Sequence, residues 1–319
     1  MSFSARRALL ALAAPAFFAL TLAHAAPLAD WQPPAGDPTL VLWPNGAPGP
    51  QTATSPEHDT TKPTDQLVAG RPVLRIGDVS VPTITLYAAP AAYNSGAAVV
   101  VFPGGGYSIL AIDLEGTEVC DWLNSIGVNC VLLKYRVPDT GPYPKSPAAL
   151  QDAQRALGLV REHAVEWHID AQRIGVLGFS AGAHLAAALS THFDQRLYPA
   201  VDAADQLSCR PDFAIVLYPG YLSIAEKNFE FNPDIPVTPS VPPTFLLQAE
   251  DDPVHVENVI DYFMALKKAG VRAELHIYAK GGHGYGLRPT DLPITTWPHT
   301  AALWLHTIGV LPETMRNGN

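Results

Sequence analysis

Ser180 stands in the pentapeptide Gly178-Phe179-Ser180-Ala181-Gly182, directly after the apolar run Ile174 to Leu177 and directly before the helix-like run Ala183 to Leu189. A serine hydroxyl is a poor nucleophile. A chain that uses one must lift its Oγ out of a sharp strand-to-helix turn, where a base can reach it and backbone N–H groups can face a developing oxyanion. Small flanking residues are a steric requirement of that turn. Gly178 and Gly182 would let strand and helix approach closely, and the start of the following helix favours negative charge. The chemistry open to this spacing is acyl transfer.

An acid and a base follow in chain order. Pro243 to Ala249 reads as a buried strand and ends in Glu250-Asp251-Asp252-Pro253-Val254, a carboxylate cluster on a turn at the carboxyl edge of a sheet, where α/β sheets hold their sites. The strand Ala273 to Tyr278 runs into the glycine-rich loop Lys280 to Gly286, and the glycines beside His283 leave its imidazole room to reach a serine. In this arrangement Ser180 attacks an acyl carbon. His283 takes its proton and returns it to the leaving group, while Asp252, with Asp251 as its rival, holds the imidazole tautomer and stabilises the imidazolium. Plainer readings stand beside these: Ser180 as a small residue in a tight turn, His283 as a loop histidine that packs or caps.

Oxyanion donors should come from earlier in the chain. The run Ala97 to Phe102 is almost continuously apolar, as for a strand covered on both faces, and opens into Pro103-Gly104-Gly105-Gly106-Tyr107. Three successive glycines cost backbone entropy that a plain turn has no reason to spend. A loop whose N–H groups must approach a ligand does, which points to Gly105 and Gly106, joined by Ala181 after the nucleophile. The competing reading is a flexible glycine hinge.

Together with Leu133-Lys134-Tyr135-Arg136-Val137-Pro138 and the opening Leu42 to Gly49, these motifs resemble the secreted esterase branch of the α/β-hydrolases, which includes acetylxylan esterases and feruloyl-esterase-like domains. The resemblance spans nearly the whole mature chain. It implies Ser180, Asp252 and His283 as triad, Gly105, Gly106 and Ala181 as oxyanion donors, and no cofactor or metal. Lipase-like relatives place a histidine before the three glycines and an acidic residue before the serine, where this chain has Pro103 and Phe179. The differences argue against the hormone-sensitive-lipase branch.

The elements that must position these residues alternate along the chain. Strands are expected near Val81–Tyr87, Ala98–Phe102, Val128–Arg136, Arg173–Gly178, Phe213–Leu217, Thr244–Gln248 and Ala273–Tyr278. Helices are expected over Glu115–Ile126, Ala148–Trp167, Ala183–His192, Val256–Ala269 and Trp297–Thr307. This predicts an α/β-hydrolase fold: a mostly parallel central sheet flanked by helices, with no large cap domain, because only the proline-rich stretch Tyr218 to Pro242 separates two strands where a lid would be inserted. Asp152, Arg155, Glu162 and His163 fall on the polar faces of the second helix, where solvent exposure is the default. Residues 26–71 are proline-rich and read as an arm over a catalytic domain of residues 72–319.

Residues 1–25 combine Arg6 and Arg7, an apolar stretch and Ala23-His24-Ala25, the pattern of a signal peptide cleaved after Ala25; the protein would be secreted or periplasmic, without stable membrane insertion. Losing Arg6 and Arg7 moves the formal charge from −10 to about −12. With no basic patch, a nucleic-acid partner is excluded, and acidic polysaccharides are disfavoured against neutral or acetylated sugars. Of three cysteines, Cys120 and Cys130 read first as buried small hydrophobes and second as a disulfide, with Cys209 left over. Tyr107, Tyr218, Tyr221 and Tyr285 lie on loops near the expected site. Each could stack on a sugar ring or pack the rim, with Tyr107 and Tyr285 preferred for binding. His184, on the helix after the elbow, reads as packing more than chemistry.

The substrate expected is a small or polysaccharide ester, most specifically an O-acetylated xylan-type carbohydrate. The competitors are a peptidase on the same triad, a broad short-chain or feruloyl esterase, and a silent binding member of the fold. Oligomeric state is not legible.

Overall fold

The computed structural model describes residues 31–312; the expected signal peptide, residues 1–25, lies outside them. Eight strands build the central sheet: β1 (Thr39–Val41), β2 (Thr83–Tyr87), β3 (Ala98–Phe102), β4 (Asn129–Lys134), β5 (Ile174–Phe179), β6 (Ala214–Leu217), β7 (Thr244–Ala249) and β8 (Ala273–Tyr278). Their order is β1-β2-β4-β3-β5-β6-β7-β8. β2 runs antiparallel to its neighbours β1 and β4, and every pairing from β4 to β8 is parallel. A parallel sheet needs cover on both faces. Accordingly β3, β5, β6 and β7 are buried along their whole length, which is why their sequences are mostly apolar, β7 alone carrying polar side chains at Thr244 and Gln248.

Helices α1 (Glu118–Ser125), α2 (Ala148–Glu162), α3 (Ala181–Thr191), α4 (Glu257–Lys268) and α5 (Trp297–Thr307) flank the sheet. α1 is preceded by a π-helical turn, Asp113–Thr117. α2 stops at Glu162 and not at the expected Trp167. Residues 163–168 continue as turns, and His168, at φ 54°, turns the chain toward β5.

The solvated role expected for α2's charged residues is corrected at two positions. Asp152 and Arg155 are 0 % and 1 % exposed. Asp152 accepts from Arg136 Nε at 3.0 Å and from Trp43 Nε1 at 2.7 Å, while Arg155 meets Asp205 at 3.1 Å. Helical periodicity reports which face is polar, not whether a partner from elsewhere will cover it. Here the partners come from residues 42–43, from Arg136 just after β4 and from the loop after α3.

The first reading of Cys120 and Cys130 is corrected as well: they form a disulfide, S–S 2.01 Å, between α1 and β4. The helix folds straight back onto the strand that follows it and brings the two α-carbons to 5.1 Å, inside the span a bridge allows. Cys209 is free and buried.

Residues 31–71 contribute β1 to the sheet and bury Leu42 and Trp43. Further on, His58–Asp59, Arg75–Gly77 and Leu110–Ala111 form a separate three-stranded antiparallel sheet, which carries residues 60–75 to the mouth of the site. Between β6 and β7, Tyr218 to Pro242 holds only a two-stranded ribbon, Ser223–Ile224 with Glu230–Phe231, and a short 3-10 turn. No cap domain stands there.

Candidate active site

Ser180 occupies the turn between β5 and α3 at φ 52°, ψ −118°, a left-handed conformation that costs free energy in a residue with a side chain and persists only when its surroundings over-determine it. The flanking glycines do that. A Cβ on Gly178 would lie 2.0 Å from the Gly182 carbonyl oxygen, and one on Gly182 would lie 2.1 Å from that of Phe102. Backbone touches backbone at both points, so the strand, the turn and the helix have one way to fit.

His283 Nε2 lies 2.8 Å from Ser180 Oγ. Its Nδ1 faces Asp252, 2.9 Å from Oδ2 and 3.1 Å from Oδ1. A carboxylate only accepts, so Nδ1 carries the ring proton and Nε2 is left to accept from the serine hydroxyl. Asp252 is buried and is held by Gln248 Nε2 at 3.0 Å and the Val254 N–H at 2.8 Å. Its rival Asp251 is otherwise engaged. Asp251 Oδ1 accepts from the N–H groups of Gly281 and Gly282, at 2.9 and 2.8 Å, and so pins the base of the histidine loop.

The three consecutive glycines divide their work. Gly104 donates its N–H to Glu115 Oε2 at 2.7 Å. Gly105, at φ 136°, has no room for a side chain, because a Cβ would lie 2.0 Å from the Ile109 carbonyl oxygen. The N–H groups of Gly105, Gly106 and Ala181 find no acceptor among the described residues, and Gly105 and Gly106 line the same cleft as Ser180 and His283. Free donors beside a nucleophile can take a developing negative charge.

Glu115, in the π-helical turn, was not marked by anything in the sequence. It is fully buried, and burial pushes its carboxyl above the ordinary value. Besides Gly104 it accepts from Tyr218 Oη at 2.8 Å, and Tyr218 Oη in turn accepts from the Gly286 N–H at 3.2 Å. One side chain thus joins the glycine loop, the end of β6 and the histidine loop. The Tyr218 ring also stands edge-on to His283, 5.1 Å between centroids.

The four tyrosines expected near the site differ in exposure. Tyr107, Tyr218 and Tyr285 are 2 %, 0 % and 6 % exposed, so none offers a ring face to solvent; Tyr221 is 43 % exposed. Tyr107 turns inward because its Oη bonds His184 Nδ1 at 2.8 Å, and Tyr285 because it packs on Tyr218 with centroids 4.5 Å apart. His184 is buried in that aromatic group, and burial drives its imidazole down to about 3, which keeps it neutral.

The cleft over Ser180 and His283 has a volume of about 370 Å³. One of its walls comes from Gln66, Val68, Val73 and Arg75, within the stretch the sequence marks only as a featureless arm and its junction. A half-buried serine that lines an open cleft, aligned on a histidine and a carboxylate with unpaired N–H groups alongside, can perform nucleophilic acyl transfer.

Residues 99–240 match a family model described as the alpha/beta hydrolase fold. The chain is 32 % identical over 217 residues to an acetylxylan esterase of Xylanibacter ruminicola, covering 60 % of this chain and 42 % of that protein. It is 30 % identical over 203 residues to endo-1,4-beta-xylanase B of Butyrivibrio fibrisolvens, covering 58 % of this chain and 32 % of that protein. The chain therefore spans less than half the length of these two curated relatives. Among solved structures, an acetyl ester-xyloside bifunctional hydrolase from Caldicellulosiruptor lactoaceticus is 35 % identical, with a TM-score of 0.66, covering 86 % of this chain and 97 % of that one.

Proposed function

The chain belongs to the α/β-hydrolase family, and we propose that within it the protein is a serine carboxylic-ester hydrolase that removes acetyl groups from O-acetylated, xylan-type carbohydrate. The observation that carries the reading is the continuous line from Ser180 Oγ through His283 to Asp252, at 2.8 and 2.9 Å. Ser180 Oγ attacks the acyl carbon as its proton passes to His283 Nε2. Asp252 then stabilises the imidazolium, which otherwise would be a poorly solvated charge in the cleft. The oxyanion of the tetrahedral intermediate takes hydrogen bonds from Gly105, Gly106 and Ala181, and the start of α3 adds its favourable field. Collapse expels the alcohol, protonated by His283, and leaves an acyl-serine; water, deprotonated by the same imidazole, releases the acid.

The acetyl and carbohydrate part of the reading is supported by the uncapped cleft, which admits a bulky alcohol, and by the esterases and the xyloside hydrolase the chain is similar to. Export, with cleavage after Ala25, is part of the same proposal. A polymeric substrate is met outside the cell, and the Cys120–Cys130 bridge fits an oxidising compartment. The experiment is acetate release from acetylated xylan by exported and cytoplasmic fractions of cells producing the chain or its Ser180→Ala variant, beside p-nitrophenyl esters of increasing acyl length. Expected is release confined to the exported fraction, lowered at least about 10³-fold in the variant, and rates that fall with acyl length. Faster turnover of the octanoate than of the acetate overturns the acetyl assignment. Ser180-dependent cleavage of simple acetates without release from xylan overturns the carbohydrate assignment and leaves a short-chain or feruloyl esterase.

A further inference from the structure

We propose that Gln66 and Arg75 form the subsite for the alcohol half of the ester and that this subsite takes an uncharged sugar; the assignment rests on the ester-hydrolase reading above. The cleft that contains Ser180 and His283 is closed on one side by residues 66–75. That wall is anchored. Arg288, 2 % exposed, donates from Nη1 to the carbonyl oxygens of Arg71 and Pro72 at 3.0 and 2.8 Å, and from Nη2 to Asp113 and Glu118 at 3.0 and 2.9 Å. A planar guanidinium with its donors spent on backbone and on two carboxylates fixes the segment against the turn that carries Glu115.

On this fixed wall two side chains keep hydrogen-bonding capacity in reserve. The Gln66 amide makes no hydrogen bond among the described residues and is exposed. Arg75 uses only Nη1, toward Asp65 Oδ2 at 3.2 Å and the Val73 carbonyl oxygen at 3.0 Å, leaving Nε and Nη2 without a protein acceptor among the described residues. Val68, Val73, Ala111 and Leu114 line the same cleft with apolar side chains. A few directed polar groups on an apolar wall suit a sugar, whose ring presents a C–H face for packing and hydroxyls for hydrogen bonding. A purely alkyl alcohol would cover Gln66 and Arg75 without replacing the water they bind, and that cost is how a polar site rejects an apolar analogue. The ligand is uncharged because Asp65 already balances the charge of Arg75.

The test compares kcat/KM for acetylated xylobiose with that for p-nitrophenyl acetate in the wild-type protein, in Gln66→Ala and in Arg75→Lys, and measures unesterified xylotriose as a competitive inhibitor. Gln66 supports no other residue through a hydrogen bond, so its truncation reads the subsite without disturbing the fold. Expected are a ratio of sugar ester to p-nitrophenyl ester lowered about 3- to 10-fold in Gln66→Ala, a larger fall in Arg75→Lys, and weaker inhibition by xylotriose in both. An unchanged ratio and unchanged inhibition in both variants, with wild-type cleavage of both esters intact, overturn the subsite and leave the ester-hydrolase reading standing. If the wild-type protein cleaves neither ester, both fall.

Discussion

His184 lies one helical turn beyond the nucleophile and makes the sharpest statement available to a single residue. Its imidazole is completely buried with Nδ1 against Tyr107 Oη, and burial holds it down to about 3. In the unfolded chain an ordinary histidine binds a proton below about 6.5. Between those two values the unfolded state holds a proton that the folded state refuses, so this group subtracts stability as pH falls through the window, by at most about 1.4 kcal/mol per pH unit, and costs nothing above it. His184→Asn, which keeps an acceptor for Tyr107 and cannot titrate, is expected to flatten the fall in urea midpoint between pH 6.5 and pH 4. Parallel pH dependences for the two proteins would show that His184 is not buried neutral. The same scale explains what residue types could and could not disclose. A histidine between glycines and a serine between small residues carry their chemistry in their neighbours, so Ser180 and His283 were legible. Asp252 was preferred from sequence but Asp251 stayed its rival, because which one reaches His283 depends on the turn after β7, where Asp251 bends back to Gly281 and Gly282. Glu115 was silent for the same reason: its partners, Gly104 and Tyr218, are 11 and 103 residues away.

Apolar runs located β3, β5 and β7 because strands buried on both faces leave no alternative pattern, and the elbow glycines announced the contact between β5 and α3. What pattern missed was pairing between elements. The polar face of α2 turned out to bind Arg136 and the loop after α3, and the helix-then-strand order of α1 and β4 set Cys120 against Cys130. The bridge closes a loop of sequence separation 10. On chain-entropy grounds such a loop contributes about 3 kcal/mol. Replacing both cysteines by alanine should lower the free energy of unfolding by that order in urea melts while leaving the slope of the transition unchanged. A double variant as stable as the parent would contradict that contribution of the bridge.

At the scale of the whole molecule, the fold class followed from alternation and from the brevity of the β6–β7 connection, and the family match and the neighbouring structures agree with it. The part that could not be read is the wall of the cleft. Residues 60–75 have little periodicity, yet the three-stranded sheet and Arg288 bring them to the cleft over Ser180, so one of its walls is built by a segment that reads from sequence only as an arm and its junction. Ester hydrolysis through a covalent acyl-serine is the claim on which the rest depends. Its most direct test is to quench the protein in acid during turnover of p-nitrophenyl acetate and to map acetylation by peptide mass spectrometry. Expected is one acetyl group on Ser180, absent from the Ser180→Ala protein and removed when substrate is exhausted; turnover with no acetyl group on Ser180, or with the label on another side chain, would rule out the acyl-serine.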